Sequence, residues 1–181
     1  MDCGARLKAV ADYIILVDLE KLKKAKDLIT GASARGGKII LVGNGASAAI
    51  ASHVAVDLTK AAGVRAINFN EADLITCFAN DYGYEHWVEK ALDFYADDKD
   101  VVILISSSGQ SANIVNAALK AKAMGLQVIT LSGFRQDNPL KKLGDINLWV
   151  DNSQYNTVET VHQAWLLALV DEIEAEKSRR G

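Results

Sequence analysis

Five short runs, Lys38-Ile39-Ile40-Leu41-Val42, Arg65-Ala66-Ile67-Asn68-Phe69, Val101-Val102-Ile103-Leu104-Ile105, Gln127-Val128-Ile129-Thr130-Leu131 and Ile146-Asn147-Leu148-Trp149-Val150, are separated by stretches that read as helix. A strand with one face in water alternates apolar and polar residues. Most of these runs are apolar at nearly every position, so the sheet they form is covered on both faces. Strands that alternate with helices pair in parallel, because a crossover helix brings each strand back in the same direction. The expectation is α/β: a parallel sheet flanked by helices on both faces. With 181 residues, half of them apolar, the chain has the size of a single domain with a sizeable core. It has one Pro and no Gly/Ser-rich linker, repeat or low-complexity tract that would mark a boundary within 1–181.

The helical stretches follow from spacing. From about residue 5 to 34, Leu7, Val10, Ile14, Ile15, Leu19 and Leu22, then Ala25, Leu28 and Ile29, predict one opening helical segment that Gly36-Gly37 ends. Further helices are predicted over about 46–62, 71–79, 84–96 and 111–124, with a short one after Asn138-Pro139. The last runs over about 157–177 with Val158, Val161, Trp165, Ala168 and Leu169 along one side. The net charge of −3 and the lack of a basic block, apart from the solvated helix face around Lys21–Lys26, exclude nucleic acid as a direct ligand. Cys3 and Cys77 form neither a disulfide framework nor a metal-ligand spacing. No signal-like N-terminus and no apolar run of about 18 residues is present, so a cytoplasmic protein off the membrane is expected.

Two strand-to-helix turns carry the chemistry. Gly43-Asn44-Gly45-Ala46-Ser47 follows the first run, and Ser106-Ser107-Ser108-Gly109-Gln110-Ser111 follows the third. Such a turn offers unpaired backbone N–H groups and the positive end of a helix dipole, a natural seat for phosphate. Ser hydroxyls add donors, and Gly lets the backbone fold closely round an oxyanion. The second turn is read as a phosphate cup, with Ser111 also placed to cap the following helix. Gly43-x-Gly45-x-x-Ala48 loosely meets the dinucleotide fingerprint. The nearest acidic residue, Glu71, lies past the end of the second strand, so no nucleotide cofactor is expected.

These motifs, with the helix bearing His53 through Thr59, Asn80-Asp81-Tyr82-Gly83, Ser106 through Asn113 and Glu159-Thr160-Val161-His162, resemble the SIS (sugar isomerase) domain family in its phosphoheptose isomerase branch. The resemblance covers nearly the whole chain. It implies a flavodoxin-like sheet, a homotetramer with sites at subunit interfaces, and a sugar phosphate substrate. It implies phosphate binding by Ser106, Ser107, Ser108 and Ser111, with Asn44, Ser47 and Asp81 helping to hold substrate. It also implies interconversion of a ketose and an aldose phosphate, of the kind that turns sedoheptulose 7-phosphate into a heptose 7-phosphate for surface polysaccharide. The family's usual base, a Glu, corresponds to Asp57. Its usual Gln corresponds to Glu159, its usual acid, a His, to Leu167, and its usual Arg to Ala61. A non-catalytic relative, the DnaA initiator-associating protein, also lacks the acid, so a phosphosugar-binding regulatory or partner-binding protein is the alternative.

His53 and Asp57 share one helix face and Glu159 and His162 lie three apart on another, so the residues allow either two local surface pairs or a metal site. The resemblance implies zinc at His53, Asp57 and Glu159. Aldose–ketose interconversion needs a base for the proton beside the carbonyl and a partner for the enediolate oxygens. Asp57 is the expected base. Glu159 or His162 is the expected shuttle between O1 and O2.

Overall fold

The computed structural model describes residues 2–180. Its strands are β1 (Ile39–Gly43), β2 (Ala66–Asn68), β3 (Val101–Ser106), β4 (Gln127–Ser132) and β5 (Ile146–Trp149). All pairings are parallel and the spatial order is β2-β1-β3-β4-β5, the flavodoxin-like arrangement. The helices are α1 (Cys3–Ile15), α2 (Leu19–Ala34), α3 (Ala46–Lys60), α4 (Ala72–Tyr82), α5 (Trp87–Tyr95), α6 (Ala112–Ala123) and α7 (Tyr155–Arg180). The short helix expected after Pro139 is a single 3-10 turn, Leu140–Lys142.

Side chains on successive strand residues point to opposite faces, and the core divides accordingly. Ile39, Leu41, Val101, Ile103, Ile105, Ile129 and Leu131 pack with residues of α2, α3 and α7. Ile40, Val42, Val102, Leu104 and Val128 pack on the other face with Trp87, Val88, Ala91 and Leu92 of α5 and Ile114, Ala117 and Ala118 of α6. Burying each Val, Leu or Ile fully contributes roughly 1.5–3 kcal/mol relative to exposure. This explains why the apolar runs are continuous.

The opening segment is two helices rather than one. The Asp18 carboxylate accepts from Glu20 N and Lys21 N, each at 3.1 Å, and so starts a new helix after the break at 16–18. This lets α1 turn onto α7, where Trp165 Nε1 donates to Ile14 O at 2.8 Å. Among the described residues no helix is long and apolar enough to cross a membrane.

The topology places the site. From β1 the chain moves outward to β2 and then returns to the other side of β1 as β3, so the loops after β1 and β3 flank the crevice where the winding reverses. Gly43 is paired with Ile105, which sets the two Gly/Ser turns side by side at the carboxyl edge.

Candidate active site

The first turn is tight because Gly43 lacks a side chain. A Cβ there would lie 2.6 Å from the Ser47 backbone carbon, so α3 can start directly against the end of β1 only with Gly at this position. The turn is tied to its neighbour by a reciprocal amide pair. Asn44 Nδ2 donates to Asn113 Oδ1 at 3.0 Å, and Asn113 Nδ2 donates to Asn44 Oδ1 at 2.9 Å. Tyr84 Oη donates to the same Asn44 oxygen at 3.2 Å. Asn113 is buried, so each bond saves an otherwise costly unpaired amide and locks the two turns together.

The second turn forms a cup of hydroxyl groups. Ser106 and Ser107 are buried and Ser108 and Ser111 are partly open, while Ser106 Oγ and Ser111 Oγ lie 3.1 Å apart. Ser111 occupies the N-cap position of α6 as expected, yet its side chain makes no capping bond. Its hydroxyl turns to Ser106 instead, leaving the positive end of α6 without a side-chain cap and suited to an external anion. Gly109 shapes the loop with φ +67°, and an added Cβ would fall 2.0 Å from Asn138 Oδ1. The loop is braced from below by Gly133 N donating to Ser107 O at 2.8 Å and Leu140 N donating to Gly109 O at 3.1 Å. A cleft of about 320 Å³ opens over it, lined also by Asn44, Ser47, Tyr155 and Glu159. Among the described residues the lining holds no Lys or Arg, so hydroxyls and the helix dipole would carry the binding of an anion.

A second cleft, of about 400 Å³, adjoins the first and shares Ala46 and Glu159 with it. It lies between α3 and α7 and is lined by His53, Asn156, Thr160 and Gln163. Glu159 therefore stands on the boundary between the cup and this cleft, with Oε1 accepting from Ser107 Oγ at 3.5 Å. Burial holds its carboxyl above the usual range, and the Ser107 hydroxyl partly offsets this. His53 Nε2 faces Asp57 Oδ2 at 3.1 Å, one turn along α3, and His53 Nδ1 faces Gln163 Nε2 at 3.1 Å. With Gln163 donating to Nδ1, the imidazole proton sits on Nε2 and is shared with Asp57.

Within the chain, then, Asn44, Ser47, Ser106, Ser107, Ser108, Ser111 and Glu159 gather at one cleft, and His53 joins through the shared wall. Asp57 lines neither cleft and reaches them only through His53. Asp81 lines neither as well. It lies exposed near the end of α4, where its carboxylate accepts from Asn80 Nδ2 at 2.9 Å. His162, expected as a proton shuttle, is not at the site. It is fully buried under β4, with Nε2 3.1 Å from Ser132 O, and burial pushes its imidazole down to about 4. Three residues of helix leave it roughly 60° round the axis from Glu159, enough on a helix packed against the sheet to put Glu159 at the cleft edge and His162 under β4.

A zinc ion held by His53, Asp57 and Glu159 does not fit this arrangement. Among the described residues no three His, Cys, Asp or Glu side chains come close enough to hold a metal. Both His53 nitrogens face protein partners, and Leu167, at the position of the family's usual acid, packs with the core.

Asn113, Gln163 and Tyr155 were not expected at the site. Asn113 lies in the first turn of α6, next to the loop, and Gln163 follows Glu159 by four on the same helix face. Tyr155 had no sequence signal, since only the edge-on contact of its ring with Phe134, 4.9 Å between centroids, sets it over the cup.

The family described as SIS domain matches residues 5–133, a span that holds the first four strands and both Gly/Ser turns. A phosphoheptose isomerase of Syntrophotalea carbinolica is 31% identical over 177 residues, 94% of this chain and 89% of the relative. One of Helicobacter pylori is 34% identical over 161 residues, 86% of this chain and 83% of the relative. The structure of a phosphoheptose isomerase from Neisseria gonorrhoeae superposes with a TM-score of 0.88 at 28% identity, covering 95% of each chain. A parallel 2-1-3-4-5 sheet with hydroxyl-rich turns at its switch point, found with this degree of likeness over nearly the full length, means that the chain belongs to the SIS domain family, in its phosphoheptose isomerase branch.

Proposed function

We propose that the protein is an aldose–ketose isomerase of a sugar phosphate, with sedoheptulose 7-phosphate as the substrate class. The carrying observation is the contact between Glu159 and Ser107, which sets a carboxylate directly beside the phosphate cup. The phosphate is held by Ser47, Ser106, Ser107, Ser108, Ser111 and the start of α6, and the sugar lies along the adjoining cleft towards His53. Glu159 takes the proton from the carbon beside the carbonyl, leaving an enediolate. Returning that proton to the former carbonyl carbon, while the hydroxyl proton passes between O1 and O2, completes the interchange with no net loss of atoms. Burial of Glu159 supports this role, because a carboxylate with a raised pKa is a stronger base. Asp57 acts one step further out by orienting His53, whose imidazole forms part of the wall of the adjoining cleft.

The same reading includes a cytoplasmic homo-oligomer. Support for the oligomer is the exposed apolar side chains Leu7 and Ile15 of α1, Leu16 just after it and Leu19 at the start of α2.

Proton NMR of sedoheptulose 7-phosphate with the protein in deuterated water tests the reaction. Deuterium should enter beside the carbonyl, and Glu159→Gln should abolish this while inorganic phosphate still binds. Saturable sugar binding without exchange would instead mark a non-catalytic phosphosugar-binding protein. Full exchange in Glu159→Gln, lost in Asp57→Asn, would move the base to Asp57.

A further inference from the structure

We propose that His162 is a positioning residue for the phosphate cup, acting through one peptide plane. Its Nε2 donates to the Ser132 carbonyl at 3.1 Å, and the N–H of the same peptide unit, on Gly133, donates to the Ser107 carbonyl at 2.8 Å. A peptide unit is rigid and planar, with C=O and N–H on opposite sides, so whatever fixes the one aims the other. Val150 N also donates to the Ser132 carbonyl at 2.9 Å and continues the sheet. The imidazole is a second donor, from α7, and it sets the rotation of the plane where the sheet ends.

α7 thus grips the loop twice, through the Glu159 carboxylate on the Ser107 hydroxyl and through His162 on the Ser107 backbone. Close packing enforces the geometry. A Cβ on Gly133 would lie 2.7 Å from Val158 of α7 and 3.1 Å from Ser107 O, so only Gly fits between helix and loop. His162 Nδ1 is buried without a hydrogen-bond partner. The ring is held by the single bond to Ser132, a costly arrangement that ordinary core filling would not require. This inference rests on reading Ser106–Ser111 as the phosphate cup.

The test compares His162→Gln, whose amide nitrogen reaches as far as Nε2, with His162→Asn, whose amide stops short of the Ser132 carbonyl. Phosphate binding is measured by calorimetry with inorganic phosphate, alongside melting temperature. The wild type should bind saturably, the Gln variant within about twofold of it, and the Asn variant about tenfold more weakly. In the wild type, exchange of the Gly133 amide should slow further on saturation with phosphate, a reading that needs no variant to fold. Equal affinities in all three proteins, even with a lowered melting temperature, would make His162 core filling only. Gln binding as weakly as Asn, or Gly133 exchange unmoved by phosphate, would likewise overturn the proposal. Failure of the wild type to bind phosphate would overturn the reading of the cup itself.

Discussion

The buried His162 makes stability depend on pH in a way that can be isolated. In the unfolded chain the imidazole takes up a proton near 6.5, whereas in the folded protein burial delays this to about 4. Between those values the unfolded state binds the extra proton, so stability is fully present above about 6.5 and falls as pH drops towards 4. The slope is about 1.4 kcal/mol per pH unit and the whole window amounts to about 3 kcal/mol, a large share of the roughly 5–15 kcal/mol that holds a domain together. His162→Gln keeps a donor for Ser132 O but cannot titrate. Urea unfolding of both proteins at pH 7.5 and 4.5 cancels the contributions of all other groups. The wild type should lose about 2–3 kcal/mol more than the Gln variant on going to the lower pH. Parallel losses would refute the reasoning, since the ring would then charge as readily in the folded state as in the unfolded one.

Three further outcomes follow from the geometry of the cup and of the core beneath it. Asn113→Leu leaves both Asn44 amide groups without their buried partner and should cost about 1–3 kcal/mol in thermal unfolding, with weaker phosphate binding because the two turns are no longer tied. Gly109→Ala forces a side chain into a left-handed backbone position and against Asn138, so it should lower stability by about 1–3 kcal/mol and reduce phosphate affinity more than Gln110→Ala, an exposed neighbour. Leu104→Ala opens a cavity in the fully buried β3 and should cost about 2–5 kcal/mol while leaving phosphate affinity per folded molecule unchanged, as measured by calorimetry beside denaturant unfolding.

The sheet was legible because its strands are buried on both faces, a condition that writes itself as unbroken Val/Ile/Leu runs. β1, β3 and β4 lie within a residue of where those runs predict them. The break between α1 and α2 was less visible, since apolar spacing continues across it and only the capping by Asp18 interrupts the backbone. At the site, the Ser-rich turn was readable from its composition, because hydroxyls and Gly stand together directly after a buried strand. The roles on α7 were not. Glu159 and His162 are three residues apart and look like a pair, yet one borders the cleft and the other is sealed beneath β4. Local spacing, burial pattern and turn chemistry are carried by neighbours in the chain, so the sequence alone determined the α/β architecture and the place of the Ser-rich turn at the end of β3. Which carboxylate meets the cup, which imidazole stays neutral, and how Asn44 finds Asn113 depend on groups 52, 30 and 69 residues apart. Only the packing of α7 on the sheet, and the pairing of β1 with β3 that sets Asn44 beside the start of α6, brought those groups together.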